Sequence, residues 1–587
     1  MEKWIVRTKR ADFDKIAQKF QIDPVTARII RNRDVIGDDQ IQKYLYGGWK
    51  DLYDPHLLHQ GEDAAKLLAD LIRAEKKIRV IGDYDIDGVT STYILRRGIE
   101  RCNGLADHVI PHRIVDGYGV NEQLITQAHQ DGVDVIVTCD NGISAFGAIQ
   151  LAKEYGMTVI VTDHHEVPFS YQEDGSKEVL RSEADAIVNP KQPECEYPFK
   201  GLCGAAVAFK FVQLLYMQFQ LSIEETKEYL PYVAIGTIGD VMELVDENRI
   251  FVKLGLSMLQ EGADVSLMAL IRQCKLEPQD VNVYKIGFVI GPCMNASGRL
   301  DTAETTLELL LTKTEARATL LAAKLVELNE ERKNLTEHFL NKAIEEIDIH
   351  GWDQDKVMVV YLPDCHESIA GIIAGRLRER YFRPAIVLTK GEEFVKGSGR
   401  SIEGYSMFDE MVKVSDLFLK FGGHPLAAGC SLLEENVDLL REKLNQLCTL
   451  TKDDFVSKVY IDLPMPMDYV TKELIEEFKI LEPIGNGNKM PLFAQKDVIV
   501  QKATVIGKNQ NTIKFELLTP NQNAVVGILF KGVDQFFQHI KEQYGEEELR
   551  LLKSGKTKNV KLSFTFYPMI NYYNGNTTIQ MNIQNYC

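Results

Sequence analysis

"KKIRVIGDYDIDG", residues 76–88, is the stretch from which the fold can be read. A short β-rich run, 76–82, breaks at a glycine into an acidic loop, and a helical pattern begins near residue 89. The same device recurs in "VDVIVTC" (133–139), "MTVIVT" (157–162) and "ADAIVNP" (184–190). Near-continuous apolar strands separated by helices imply a parallel sheet covered on both faces.

Working outward, "DPVTARIIRNR" (23–33) offers an Asp N-cap and a Pro in the first helical turn, so residues 1–50 read as an N-terminal helical segment. The α/β alternation assigns 51–265 to one domain and 266–347 to connecting helices. Residues 312–347 lack Gly and Pro and place Leu321, Leu325, Leu328, Leu335 and Phe339 on one stripe, which suits core packing and a spacer between domains. A second α/β domain occupies 348–450, with "KVMVVYL" and "RPAIVLT" as strands. From 451 to 587 short strands follow one another ("KDVIVQKATVIG", "NTIKFELLT", "AVVGILF", "VKLSFTFY"), the pattern of a small β-barrel.

At 587 residues the chain is too long for one core. It has no run of about 18 apolar residues, so no membrane-spanning helix is expected. "MEKWIVRTKRADFDK" has no continuous apolar stretch and does not read as a secretory signal. Ten scattered cysteines without a C-x-x-C pair suit a reducing cytoplasm and argue against a disulfide framework or zinc knuckle. The net charge of −18 means that any surface for a polyanion must be local.

Three strands run into acids or histidines. The first delivers Asp83, Asp85 and Asp87, the second Asp140 in "CDNG", and the third Asp163, His164 and His165 in "VIVTDHHEVP". A helical segment, "VAIGTIGD", ends on Asp240. Each motif alone has an ordinary reading: an acidic or calcium-like loop, a turn at Asp140, a structural or surface His pair. Their joint occurrence at successive strand ends, where open parallel sheets bind ligands, points instead to a metal site. Carboxylates in such number repel unless cations lie among them, and carboxylate with imidazole suits Mg²⁺ or Mn²⁺.

In order, "DYDIDG", "DNG", "DHH" and "GTIGD" resemble the four motifs of the DHH phosphoesterase superfamily. Relatives acting on small substrates carry a His four residues before the middle Asp of the first motif, where this chain has Ile81. "IPHRIVDGYG", "GPCMNASGRL", "KGSGRSI", "FGGHPLAAG" and "LEPIGNGN" extend the resemblance to the RecJ family of single-strand-specific 5′→3′ exonucleases over nearly the whole chain. The resemblance implies a DHH domain, a DHHA1 domain joined to it by the long helix, and a C-terminal OB-like barrel. It implies two divalent ions, Mn²⁺ or Mg²⁺, held by Asp85, Asp87, Asp140, His164 and Asp240, with Asp140 bridging them. Asp83 matches a position that is either a ligand or the support of one. His165 would contact the scissile phosphate, and Asp163 would orient a histidine. Arg113, Arg299, Ser398 and Arg400 would hold the 5′ phosphate and backbone, with "GSGRS" read as a Gly-rich turn. His424 is open between a place beside substrate and a buried structural one. Cys293 departs from the Arg that many relatives have there, which removes one possible phosphate contact.

The implied activity is degradation of single-stranded DNA to 5′ mononucleotides in repair and recombination. Implied partners are single-stranded DNA, a single-strand-binding protein and a helicase, for a cytoplasmic monomer with no membrane association. In the barrel, Lys553, Lys556, Lys558 and Lys561 precede Phe564, Phe566, Tyr567, Tyr572 and Tyr573, a pairing of cations and aromatics that suits a single strand, with half of the aromatics expected in the core. Two alternatives stand: a DHH phosphodiesterase acting on short oligonucleotides or dinucleotides, and a non-catalytic DNA-binding relative.

Overall fold

The computed structural model describes residues 2–117, 119–172, 176–262, 264–573 and 575–587. It divides into two compact units, 48–456 and a second made of 1–47 with 457–587.

The larger unit contains a five-stranded sheet in the order Leu105–Val109, Lys77–Ile81, Val135–Cys139, Thr158–Thr162, Ala186–Val188. All four pairings are parallel. Alternation decides which face each residue serves. Val135, Val137 and Cys139 join one core with the helices Gly61–Arg73, Ile86–Arg101 and Gly204–Gln218, while Ile136, Val159 and Val161 join another with Glu122–Gln130 and Phe146–Glu154. The doubly covered parallel sheet expected from the apolar strands is therefore present. Chain order reverses between Lys77–Ile81 and Val135–Cys139, and the segments leaving the C-terminal ends of these neighbours carry Asp83, Asp85 and Asp140 in loops and Asp87 in the first turn of Ile86–Arg101.

The same unit holds a second, mixed sheet ordered Phe418–His424, Ala427–Leu432, Val395–Arg400, Ala385–Lys390, Met358–Tyr361. Between the two sheets runs the helix Glu315–His350, which ends at Gly351 in a left-handed conformation, φ 70°. Leu321, Leu325 and Phe339 of its expected stripe are buried, and Leu328 and Leu335 are half-buried.

In the other unit, a barrel-like sheet runs Leu463–Pro464, Phe493–Ile506, Thr512–Leu518, Ala524–Leu529, Asn576–Tyr586, Lys561–Tyr573, and Phe493–Ile506 also pairs with Lys561–Tyr573. Phe564 and Phe566 are in its core and Tyr567 is half-buried. Tyr572 is 72% exposed; the side chain of Tyr573 lies outside the described residues. Two helices interrupt the strands, Val533–Tyr544 and Glu546–Ser554, and Lys553 lies on the second, its ammonium 4.4 Å from the Phe537 ring centroid.

Residues 1–47 pack within the same unit as the barrel. Lys3–Val6 pairs in parallel with Lys458–Ile461. Val25, Ile29, Ile30, Ile41 and Leu45 share one core with Phe493, Phe515 and Phe564. Buried polar links fix the register: Asn32 Nδ2 donates to the Asp462 carbonyl at 2.9 Å, Arg33 Nη1 to Asp462 Oδ1 at 2.7 Å, and the Tyr44 hydroxyl to Asn488 Oδ1 at 2.9 Å.

Candidate metal centre

Asp85, Asp87, Asp140 and Asp240 each reach the centre through a local backbone device. Asp85 is the N-cap of Ile86–Arg101, and its Oδ1 accepts from the Asp87 and Gly88 amides at 3.0 Å each. Asp87 lies in the first turn of that helix. Its two carboxylate oxygens accept from Gly204 N at 2.6 Å and Ala205 N at 2.9 Å, the opening amides of Gly204–Gln218. A helix N-terminus thus steadies the negative charge of Asp87. Asp140 leaves its strand with φ 59°, a left-handed conformation that Asp tolerates. Asp240 ends Leu230–Gly239, as the sequence predicted.

The side chains converge in overlapping groups. Ligand atoms of Asp83, Asp85 and Asp140 lie within 4.8 Å of one another, as do those of Asp87, His164 and Asp240, and those of Asp140, His164 and His165. Asp140 Oδ1 is 2.9 Å from His164 Nε2, which also lies 3.7 Å from Asp87 Oδ2 and 3.8 Å from Asp240 Oδ2. Asp140 is therefore common to the first group and the third, and His164 to the second and the third.

Asp163 sits behind this cluster. Its carboxylate accepts from the amides of His164 at 2.7 Å, His165 at 3.1 Å and Ile143 at 2.9 Å, and from His165 Nδ1 at 2.8 Å. Burial raises the Asp163 carboxyl, but the His165 hydrogen bond and the two imidazoles outweigh it and hold the group below its ordinary value. The same contact works in reverse on His165: burial disfavours the imidazolium, yet Asp163 raises it to about 9.

Burial first, and neighbouring carboxylates second, push Asp83, Asp85 and Asp140 up, and Asp240 to about 8. Among the described residues, buried Asp83 Oδ1 and His164 Nδ1 have no hydrogen-bond partner. Hard carboxylate oxygens with one imidazole, crowded against their own charge, fit a Mg²⁺- or Mn²⁺-type cation.

Close approach of backbone shapes the walls. A Cβ on Gly204 would stand 2.7 Å from Asp140 Cβ, and one on Gly236 2.6 Å from Asp87 Oδ1. The sequence reading missed Gly204 and the Gly204–Ala205 amides; a glycine opening the apolar run "GAAVAFKF" was the available signal.

Arginines gather beside the acids. Arg113 stacks over Tyr84, 4.5 Å from its ring centroid, and its charge acts on Asp83. Arg299, on Gly291–Leu300, donates from Nη1 to the Ser368 carbonyl at 2.6 Å. Burial, then Arg113, Arg332 and Arg400, push its guanidinium below the ordinary range. Arg400 Nη1 donates to Ser398 Oγ at 3.1 Å and to the Gly399 carbonyl at 2.7 Å.

"KGSGRS" is not the expected turn. Residues Val395–Arg400 form a strand inside the second sheet, paired antiparallel on both sides. Gly397 is there for packing, since a Cβ would stand 2.5 Å from Leu388 Cδ2 and 2.7 Å from Cys430 Sγ. Ser398 and Arg400 share the opposite face, against Gly371 of the helix Glu367–Tyr381, where a Cβ would lie 2.7 Å from Ser398 Oγ and 2.9 Å from Arg400 Nη2. His424 is exposed at the end of Phe418–His424, so the buried structural role is excluded. Cys293 is buried with its sulfur 3.8 Å from Cys274 Sγ and supplies no cation to the arginine group.

Comparison with known proteins agrees with this arrangement. Residues 77–237 match the model of the DHH family N-terminal domain, 354–450 the DHHA1 domain and 461–585 the RecJ OB domain. The single-stranded-DNA-specific exonuclease RecJ of Escherichia coli K12 is 32% identical over 513 residues, covering 83% of this chain and 86% of that one. The chain belongs to the RecJ family. RecJ of Bacillus subtilis 168 is 35% identical over 516 residues, 87% of this chain; the chain spans 64% of that relative's length. The crystal structure of RecJ from Thermus thermophilus in complex with Mn²⁺ superimposes with a TM-score of 0.82 at 26% identity, over 100% of this chain and 79% of that one. A Mg²⁺ complex of the same RecJ gives 0.76 at 25% identity, over 100% and 78% of the two chains.

Proposed function

We propose that the chain is a metal-dependent exonuclease that degrades single-stranded DNA from the 5′ end to 5′ mononucleotides, in repair and recombination. The observation that carries this reading is the pair of opposed charge clusters in one unit: buried carboxylates and His164 at the sheet's C-terminal edge, and Arg113, Arg299 and Arg400 next to them. One cluster calls for cations and the other for an anion. The family membership supports the choice of DNA as the substrate.

The proposed assignment places Asp83, Asp85 and Asp140 around one divalent ion and Asp87, His164 and Asp240 around the other, with Asp140 contributing to both. When bound, two such ions supply the Lewis acidity and the activated water of an in-line phosphoryl displacement. The chain's own residues do the rest. Asp163 holds His165 by Nδ1, which leaves Nε2 to donate to a non-bridging phosphate oxygen as charge develops there. Arg299, Ser398 and Arg400 receive the 5′ phosphate, and Arg113 the neighbouring backbone, since planar guanidiniums form paired hydrogen bonds to phosphate. Fixing that end at a set distance from the carboxylates selects the bond cut and gives the enzyme its polarity. His424, exposed on the same domain as Arg400, joins the substrate contacts in this reading.

The same reading carries the domain limits 1–50, 51–265, 266–347, 348–450 and 451–587, cytoplasmic location, action as a monomer, and cooperation with a single-strand-binding protein and a helicase; all of these rest on the family resemblance. The test is digestion of 5′- and 3′-labelled single and double strands with Mn²⁺, Mg²⁺ or EDTA. Release of 5′ mononucleotides from the 5′ end of single strands alone, abolished by EDTA, is expected. Equal cutting of duplexes, or turnover confined to dinucleotides, overturns it.

A further inference from the structure

Outside the metal centre, two thiols meet where two helices approach. Cys274 caps the C-terminal end of Val265–Gln273, and Cys293 lies in the first turn of Gly291–Leu300. Their sulfurs are 3.8 Å apart. Cys139 and Cys203, by contrast, set their sulfurs against the hydroxyls of Thr92 and Thr237, at 3.5 Å each. The pair is asymmetric in access: Cys293 is buried, while Cys274 is partly open to solvent.

It is also set in a polar frame. Arg332, on the long helix, donates from Nε and Nη2 to Asn329 Oδ1 at 3.1 and 2.9 Å, and Asn329 Nδ2 donates to Cys293 Sγ at 3.3 Å. A guanidinium thus polarises an amide that points its N–H at sulfur, and the Lys333 charge acts on the same thiol. Cys293 Sγ also donates to the Val289 carbonyl at 3.2 Å, and the Asn329 N–H on the same sulfur favours the thiolate once that proton leaves.

We propose that Cys274 and Cys293 are a redox pair, oxidised by a peroxide to an intramolecular disulfide that staples the helix Val265–Gln273 to the helix Gly291–Leu300. The dithiol gives up two electrons and two protons, and one S–S bond forms. The O–O bond of hydrogen peroxide breaks, and both oxygens leave as water. A bond of about 2.05 Å requires the sulfurs to close by roughly 1.7 Å from their present 3.8 Å. A thiol reductant reverses the step by exchange.

The test uses the full, reduced chain exposed to hydrogen peroxide, alkylated with a maleimide and digested without reduction for mass spectrometry. The expected product is one cross-linked peptide pair containing Cys274 and Cys293. Both thiols should be lost together and both restored by dithiothreitol. C274S and C293S should each lose the cross-link, with wild-type protein deciding the matter where either variant folds poorly. Exposed Cys587 reports that oxidant acted. If Cys587 is oxidised while Cys274 and Cys293 both remain open to alkylation on brief denaturation, the pair is two packed thiols and the proposal fails. A cross-link from Cys274 or Cys293 to any other cysteine also overturns it.

Discussion

Two clusters of like charge lie side by side in the larger unit, and they are built in different ways. The acidic one is assembled from strand ends and a helix end, and backbone amides hold several of its members: Gly204 and Ala205 on Asp87, Gly88 on Asp85, Ile143 on Asp163. The basic one is assembled from a loop, a helix and a central strand, and carbonyl oxygens hold it: Ser368 on Arg299, Gly399 on Arg400. Amides rigidify carboxylates without cancelling their charge, and carbonyls do the same for guanidiniums. Both clusters are left with an electrostatic demand that an external ion of opposite sign can meet. On the proposed function, the acidic cluster meets that demand with metal ions and the basic one with the end of the substrate.

That contrast can be broken most severely at Asp140, the carboxylate common to two of the ligand groups. Asp140→Ala should lower hydrolysis by more than about 10³-fold, beyond the cost of deleting a single oxyanion donor, while binding of single-stranded DNA in a filter or anisotropy assay survives. Turnover retained with Mn²⁺ would remove the shared-ligand assignment.

A milder break is Asp163→Asn. The amide cannot accept from both the His165 ring and the Ile143 N–H in the present geometry, and loss of such a supporting carboxylate costs about 10–100-fold in activity or metal affinity. Its effect should fall on kcat and on the alkaline side of the pH–rate profile, because without the carboxylate the His165 ring loses its proton well below about 9. An unchanged profile would reduce Asp163 to a fold residue.

The basic cluster is sharpened by Arg400→Ala. A hydrogen bond to a charged group contributes about 1.5–3 kcal/mol, so the rate preference for a 5′-phosphorylated over a 5′-hydroxyl strand should drop by roughly tenfold or more. Equal ratios for variant and wild type would take end recognition away from this strand.

The smallest effect is on stability. Asp240 titrates at about 8 in the folded chain, against about 4 unfolded. A carboxyl raised on folding stabilises the fold below its unfolded value, and that contribution is lost as pH rises through the folded one. The EDTA-treated protein should therefore melt progressively lower between about pH 4 and 8 on this account, whereas Mn²⁺ should raise the midpoint most at the upper end, where the carboxylates are ionised. A metal-free midpoint that climbs toward pH 8 contradicts the burial of negative charge described for the centre.

The two clusters also differ in how much of them could be seen beforehand. Acids at strand ends are local: "DYDIDG", "DNG" and "DHH" each combine a strand signal with a ligand set, and parallel topology brings them together whatever lies between. The arginines are scattered over nearly three hundred residues, and only the fold makes Arg113, Arg299 and Arg400 neighbours. Local composition even misleads, because glycines at 397 and 399 read as a turn, whereas Gly397 serves tight packing in a sheet interior. The docking of 1–47 onto 457–587 left no local signal either. Four residues of parallel pairing and a few apolar helix positions do not name their partner in a sequence.

That docking has a consequence for how the chain is made. The helix Pro24–Asn32, with Ile29 and Ile30 fully buried in the finished unit, leaves the ribosome long before the barrel strands that cover it. The two parts are separated by the 409 residues from 48 to 456. At a synthesis rate of about 5–20 residues per second, those apolar side chains wait roughly 20–80 s for their partner while the larger unit is made between them. During that interval those side chains are uncovered, on a nine-residue segment too short to hold a helix alone, and are open to chaperones and to the same segment of neighbouring nascent chains.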